Sequence, residues 1–199
     1  MKRGKWIERT LLAMTATAFL GMSAVADDVT ETIDEALAAY KQGNYSQAVE
    51  DLNYAAELIR QKKGQSLQAY LPAPLPGWKA GEAETQTAAT AMMGGGTVVK
   101  RQYTKGDSSI EVQIITDSPM MQTVAMMIAS PMFVGGGAKM IRINRQKAII
   151  DYDKQERSGQ IQMVAGERYL IVVHGNNVSE NDLTAYAKAV DVKKLNAIK

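Results

Sequence analysis

The chain has 199 residues, 46% of them hydrophobic, with no cysteine and one histidine, and its 23 basic and 21 acidic residues give a formal charge of +2. Without cysteine there is no disulfide framework, thiol nucleophile, redox pair or cysteine-type zinc site. The near balance of charge leaves no strong field to hold nucleic acid or an anionic membrane.

The first 26 residues carry the three parts of an export signal. Lys2, Arg3, Lys5 and Arg9 stand against a single acid, Glu8; residues 11–22 are uncharged; Ser23-Ala24-Val25-Ala26 offers small residues at the cleavage positions. The uncharged run is shorter than the roughly 20 residues needed to span a bilayer. The spacing therefore predicts a cleaved signal peptide over 1–26, cut after Ala26, and a periplasmic location without a stable membrane anchor. No twin arginine is present and no cysteine follows for lipid attachment. Removing four bases and one acid leaves 19 basic and 20 acidic residues, so the basic character belongs to the leader.

Residues 27–70 read as a helical hairpin, with helices spread over 28–62. Val29, Ile33, Ala36, Leu37 and Tyr40 recur at helical spacing, Gly43 suits the turn, and Ser46 is the expected cap of a second helix striped by Ala48, Leu52, Ala55, Ala56 and Ile59. The run Gly43-Asn44-Tyr45-Ser46-Gln47-Ala48-Val49, with Leu52 and Ala55, resembles one tetratricopeptide repeat. Repeats of that family bury a core by stacking. A single unit therefore implies a hairpin that docks on its own domain, on a second copy, or on a partner.

Residues 71–78 alternate Pro72, Pro74 and Pro76 and end at Trp78, which predicts an extended linker whose Leu71, Leu75 and Trp78 suit a core. The remaining 79–199 reads as an α+β domain. Residues 79–96, rich in Ala, Thr, Glu and Gly, are expected to form a mobile loop or a poor strand. Strands follow at 97–105 and 110–116, joined by a turn at Gly106-Asp107-Ser108. Asp117-Ser118-Pro119 starts a helix that runs to about Ser130. Four strands are expected at 139–144, 147–153, 159–165 and 168–174. Ser179 and Asp182 then form a capping box for a last helix over 180–198 that buries Leu183, Tyr186, Ala187, Val190 and Leu195. The predicted fold is α+β: an N-terminal helical hairpin, then an antiparallel sheet of about six strands with two packed helices. In element order it is similar to the PsbP-like sandwiches. The proline run, Gly94-Gly95-Gly96 and Asp117-Ser118-Pro119-Met120 also resemble features of bacterial periplasmic proteins, which implies a location rather than an activity.

Chemistry is sparse. His174 has Ser179 and Asp182 near it in sequence, but both are accounted for as helix caps, and no G-x-S-x-G elbow exists. Neither Gly94-Gly95-Gly96 nor Gly135-Gly136-Gly137 has phosphate-loop spacing, so turns account for both. Asp151 and Asp153 share a strand face, but Asp153 to Gly159 reads as a hairpin tip without calcium-loop spacing. The helix holding Met120, Met121, Met126 and Met127 is apolar almost all round. It can fill a core, form an adaptable docking surface, or present thioethers to Cu(I).

These residues predict an exported, non-catalytic protein that binds a protein partner or an apolar ligand, or associates with itself. The expected docking residues are Tyr40, Tyr45, Leu52, Met120, Met121, Met126 and Met127, with no catalytic residue, no metal site and no cofactor. The alternatives are periplasmic handling of Cu(I) by the methionines and an enzyme without a recognisable motif.

Overall fold

The computed structural model describes residues 27–86, 96–118, 120–129 and 137–198, together with the helical backbone but not the side chain of Met120. The expected signal peptide and the glycines at 94, 95, 135 and 136 lie outside the described residues.

Two helices come first, α1 (Asp28–Lys41) and α2 (Tyr45–Gln68). The turn between them puts Gly43 at φ +78°, a left-handed conformation that glycine adopts without a Cβ penalty. Asn44, not Ser46, caps α2: its side chain accepts from the Gln47 amide, and the helix starts one residue before the serine. The seam between the helices is built from small residues, with Ala36, Ala48 and Ala55 buried beside Val29 and Thr32. Lys62 reaches Asp27 at 2.9 Å on the surface, joining the start of α1 to the far part of α2, as the short turn and antiparallel course of the pair require.

The second helix runs past the expected end at 62 because its last turns pack on the sheet. Gly64 sits against Thr85, Leu67 is fully buried, and the Gln68 amide donates to the Thr85 hydroxyl at 2.9 Å. A mid-helix glycine costs about 1 kcal/mol of propensity. Here it is explained by closeness: a Cβ at this position would overlap the Thr85 methyl group.

The sheet has seven antiparallel strands: β1 (Lys79–Gln86), β2 (Thr97–Lys105), β3 (Ser108–Thr116), β4 (Lys139–Ile143), β5 (Gln146–Asp153), β6 (Ser158–Ala165) and β7 (Tyr169–Asn176), in the spatial order β1-β2-β3-β7-β6-β5-β4. The α+β class holds, and the strand beyond the expected six is β1, part of the stretch expected to form a mobile loop or a poor strand. Its register slips between Ala80 and Ala83, and its residues are largely exposed, which is why its sequence lacks apolar alternation. Three helices accompany the strands: α3 (Met120–Ala129), α4 (Glu180–Ala189) and α5 (Val192–Asn196). The single terminal helix expected over 180–198 is two, because Val190 adopts an extended conformation and Asp191 caps a new start through the Lys194 amide.

One sheet face carries the main core. Ile110, Val112 and Ile114 of β3 join Ile171 and Val173 of β7 under Leu183, Tyr186 and Leu195. The proline run closes one end of this layer. Leu71 and Trp78 are buried, the Trp78 ring meets Tyr186 edge-on with centroids 5.3 Å apart, and Tyr103 lies 4.6 Å from Tyr186. Burial pushes the Tyr103 hydroxyl up to about 12. On the opposite face a smaller core forms where Val124 and Ile128 of α3 meet Ile115, Ile149 and Leu170.

Candidate functional site

The hairpin buries its small residues and leaves its large ones outside. Of the nine exposed large hydrophobic residues among those described, eight belong to α1 and α2: Ile33, Leu37, Tyr40, Tyr45, Val49, Leu52, Tyr54 and Ile59. The helical stripe read from the sequence is real, but it does not face the second helix. The Ala36–Ala48–Ala55 seam does that, and the bulky members of the stripe flank it on the solvent side.

Six of these side chains surround a groove of about 400 Å³. Ile33, Leu37 and Tyr40 form the α1 wall, Tyr45, Val49 and Leu52 the α2 wall, and Ala36 and Ala48 the floor. Tyr40 is 62% and Tyr45 64% exposed, and their rings meet across the turn with centroids 5.7 Å apart. Glu31 and Glu35 fall on the other side of α1 by helical spacing, so the groove itself carries no charge. Clustered exposure of large apolar side chains is the feature from which a candidate interaction surface is read.

The structure separates the expected docking residues into unconnected places. Tyr40, Tyr45 and Leu52 line the hairpin groove together. Met121 and Met127 pack against the smaller core beneath α3, whereas Met126 is 62% exposed; the Met120 side chain lies outside the described residues. The hairpin packs on the main-core face of the sheet and α3 on the other, so methionines and hairpin do not form one surface. Ile33 and Leu37 were missed as groove residues because spacing alone assigns their stripe to the inside of the hairpin, and Val49 because it lies outside the stripe read for α2.

The remaining chemical candidates are also placed. His174 is exposed on β7, directly opposite Glu111 on β3 and Gln160 on β6. Ser118 lies beyond the far end of these strands, since Thr116 pairs with Tyr169, five residues along β7 from His174 and hence about 16 Å away. Ser179 and Asp182 form a reciprocal capping box at the start of α4. Asp153 accepts from the amides of Gln155 and Glu156 at the β5–β6 tip. Gly96, at φ +106°, sits where a Cβ would strike the Thr116 carbonyl, so close strand approach explains it. Among the described residues no group of three His, Asp or Glu side chains is placed to hold a metal ion.

The class these features define is an α+β protein in which a helical hairpin precedes an antiparallel sheet and leaves an apolar groove uncovered. No family model matches the chain, and no curated protein matches it. Among solved structures, the crystal structure of MucB in complex with MucA(peri) aligns with it at 10% identity over 59% of this chain, with a TM-score of 0.29. The chain spans 33%, about a third, of the length of that structure.

Proposed function

We propose that this chain is an exported, non-catalytic binding protein whose hairpin groove receives an amphipathic helix of a partner protein in the periplasm. The observation that carries this reading is the groove itself: six large apolar side chains around an alanine floor, uncovered by any described residue of the chain. Each wall runs over seven residue steps, about 10 Å or two helical turns. That length suits apolar anchors spaced i, i+3 or i+4, and i+7 on a docked helix, with the alanine floor admitting close approach. The resemblance of residues 43–55 to a tetratricopeptide unit supports the same use, since such a hairpin is completed by another helix. The leader-like residues 1–26 support the compartment.

The test places a photo-crosslinking residue at Leu37 or Val49 in the full chain and, as a control, at Tyr54, which is exposed but lines no part of the groove. The expected result is a heterologous adduct from Leu37 and Val49, mapped by mass spectrometry to an amphipathic helical segment, absent from Tyr54 and lost when Leu52 is changed to glutamate. Adducts only between copies of this chain, or equal adducts from all three positions, refute the partner-helix reading.

A further inference from the structure

The sheet face that α3 covers only in part holds a second cleft, and strand register grades its chemistry. Three rows cross β3, β7 and β6 on that face. Nearest α3 is Ile115–Leu170–Val164; next comes Gln113–Val172–Gln162; farthest is Glu111–His174–Gln160. Successive rows are about 7 Å apart along the strands. The first row is wholly apolar and roofed by Val124 and Met127, the second sets one valine between two amides, and the third is wholly polar. A cavity of about 570 Å³ runs over all three, within the size range of small-molecule sites.

The polar end is not built for an ion. The carboxylate of Glu111 already accepts from the Gln113 amide at 2.5 Å and faces the Lys100 ammonium at 3.9 Å, and Lys100 also meets Glu84 at 3.4 Å. The Glu111 carboxylate is thus already engaged by an amide and a cation, and with two acids sharing the single Lys100 ammonium this edge disfavours an anionic head group. Gln113, Gln160 and Gln162 each offer both donors and acceptors, the pattern that hydroxyl groups satisfy. A mainly apolar end beside α3, with Ser118 and Thr123 at its margin, followed within about 13 Å by neutral hydrogen-bonding groups, matches a molecule of the same polarity gradient.

We propose that this cleft binds a single-chain amphiphile with an uncharged, hydroxylated head group. The chain lies along the open edge of α3, against Met127, Val172 and the exposed margins of Ile115 and Leu170, and the head lies among Gln113, Gln160, Gln162 and His174. The site is separate from the hairpin groove and does not depend on what that groove receives.

The experiment titrates the full chain with octyl glucoside, kept below its micelle-forming concentration, and follows backbone amides by NMR. Glucose, octanoate and octanol are run beside it. The expected result is saturable binding, with shifts concentrated on residues 111–115, 160–164 and 170–174. Glucose should not bind, and octanoate should bind at least tenfold more weakly. Gln162→Leu should cut the preference for octyl glucoside over octanol at least fivefold, and Val172→Asp should abolish binding while its thermal melt confirms folding. The hairpin variant Leu37→Glu should bind unchanged. Shifts confined to the hairpin, octanoate binding as tightly as the glucoside, or non-saturable shifts across the whole surface overturn the proposal.

Discussion

The hydroxyl of Tyr103 donates to the carbonyl of Pro72 at 2.6 Å, tying β2, next to the edge strand of the sheet, to the proline run that follows the hairpin. Tyr103 has no exposed surface, and its ring lies against that of Tyr186, whose hydroxyl accepts from the Leu75 amide at 3.3 Å. The proline run is thus bound to the domain at both its apolar and its polar positions. Tyr103→Phe keeps the ring and leaves the Pro72 carbonyl without this donor. It should cost about 1–3 kcal/mol, read as a lower urea midpoint with an unchanged slope.

The same tyrosine sets an alkaline limit. Below pH 10 both folded and unfolded states hold the proton, so its contribution to stability is complete. Above pH 10 the unfolded chain ionises, while burial keeps the folded hydroxyl protonated to about 12. Stability should fall as pH rises through that interval. Circular-dichroism melts from pH 9 to 12 should show the fall, and Tyr103→Phe should flatten part of it. A residual slope is expected from Tyr186, which burial also shifts upward.

Gly64 is the contact point between α2 and β1. Gly64→Ala gains helix propensity but drives a methyl group into Thr85 and to 3.0 Å from Thr97 Cγ2. The clash should win, lowering stability by about 1–3 kcal/mol. Thr85→Ala in the same chain should recover part of the loss, although it removes the Gln68 hydrogen bond. If Gly64→Ala raises the melting temperature, the close packing of α2 on β1 is wrong.

At the start of α4, Ser179 and Asp182 share three side-chain hydrogen bonds: the Asp182 amide to the serine hydroxyl at 3.1 Å, the Ser179 amide to the carboxylate at 3.0 Å, and the serine hydroxyl to the same carboxylate. Ser179→Ala should cost about 1 kcal/mol in thermal unfolding. The neighbouring Glu180→Ala lies outside this exchange and should change it far less.

The two kinds of hairpin residue should respond in opposite ways. Leu37→Ser and Val49→Ser alter exposed groove walls and should move stability by no more than about 0.5 kcal/mol. Ala48→Leu, at the buried seam, should cost about 1–3 kcal/mol by forcing the helices apart. Urea unfolding of the three variants checks both statements.

Much of the fold was legible because periodicity and turn chemistry act locally. The strands around Gly106, the strands at 139–176, the capping box at Ser179 and the hairpin turn at Gly43 stand where short-range rules put them. The edge strand β1 was not legible, since an exposed strand needs no apolar alternation and is held by backbone pairing to β2. The break at Val190 was hidden because its buried side chain keeps the helical pattern while its backbone leaves the helix.

By itself the sequence determined most of the helices and strands other than β1 and the break at Val190, the α+β class, and the absence of cysteine chemistry. Each of these follows from spacing along the chain or from composition. Tertiary structure alone decided which apolar residues would remain outside. Leu37 and Ala36 are adjacent and both belong to an apolar stripe, yet the alanine meets α2 and the leucine meets water. It also decided that Gln113, Gln162 and His174, from three strands, would share one cleft. Neighbours across a helix seam or a sheet are set by crossing geometry and register, and those join residues that the chain keeps far apart.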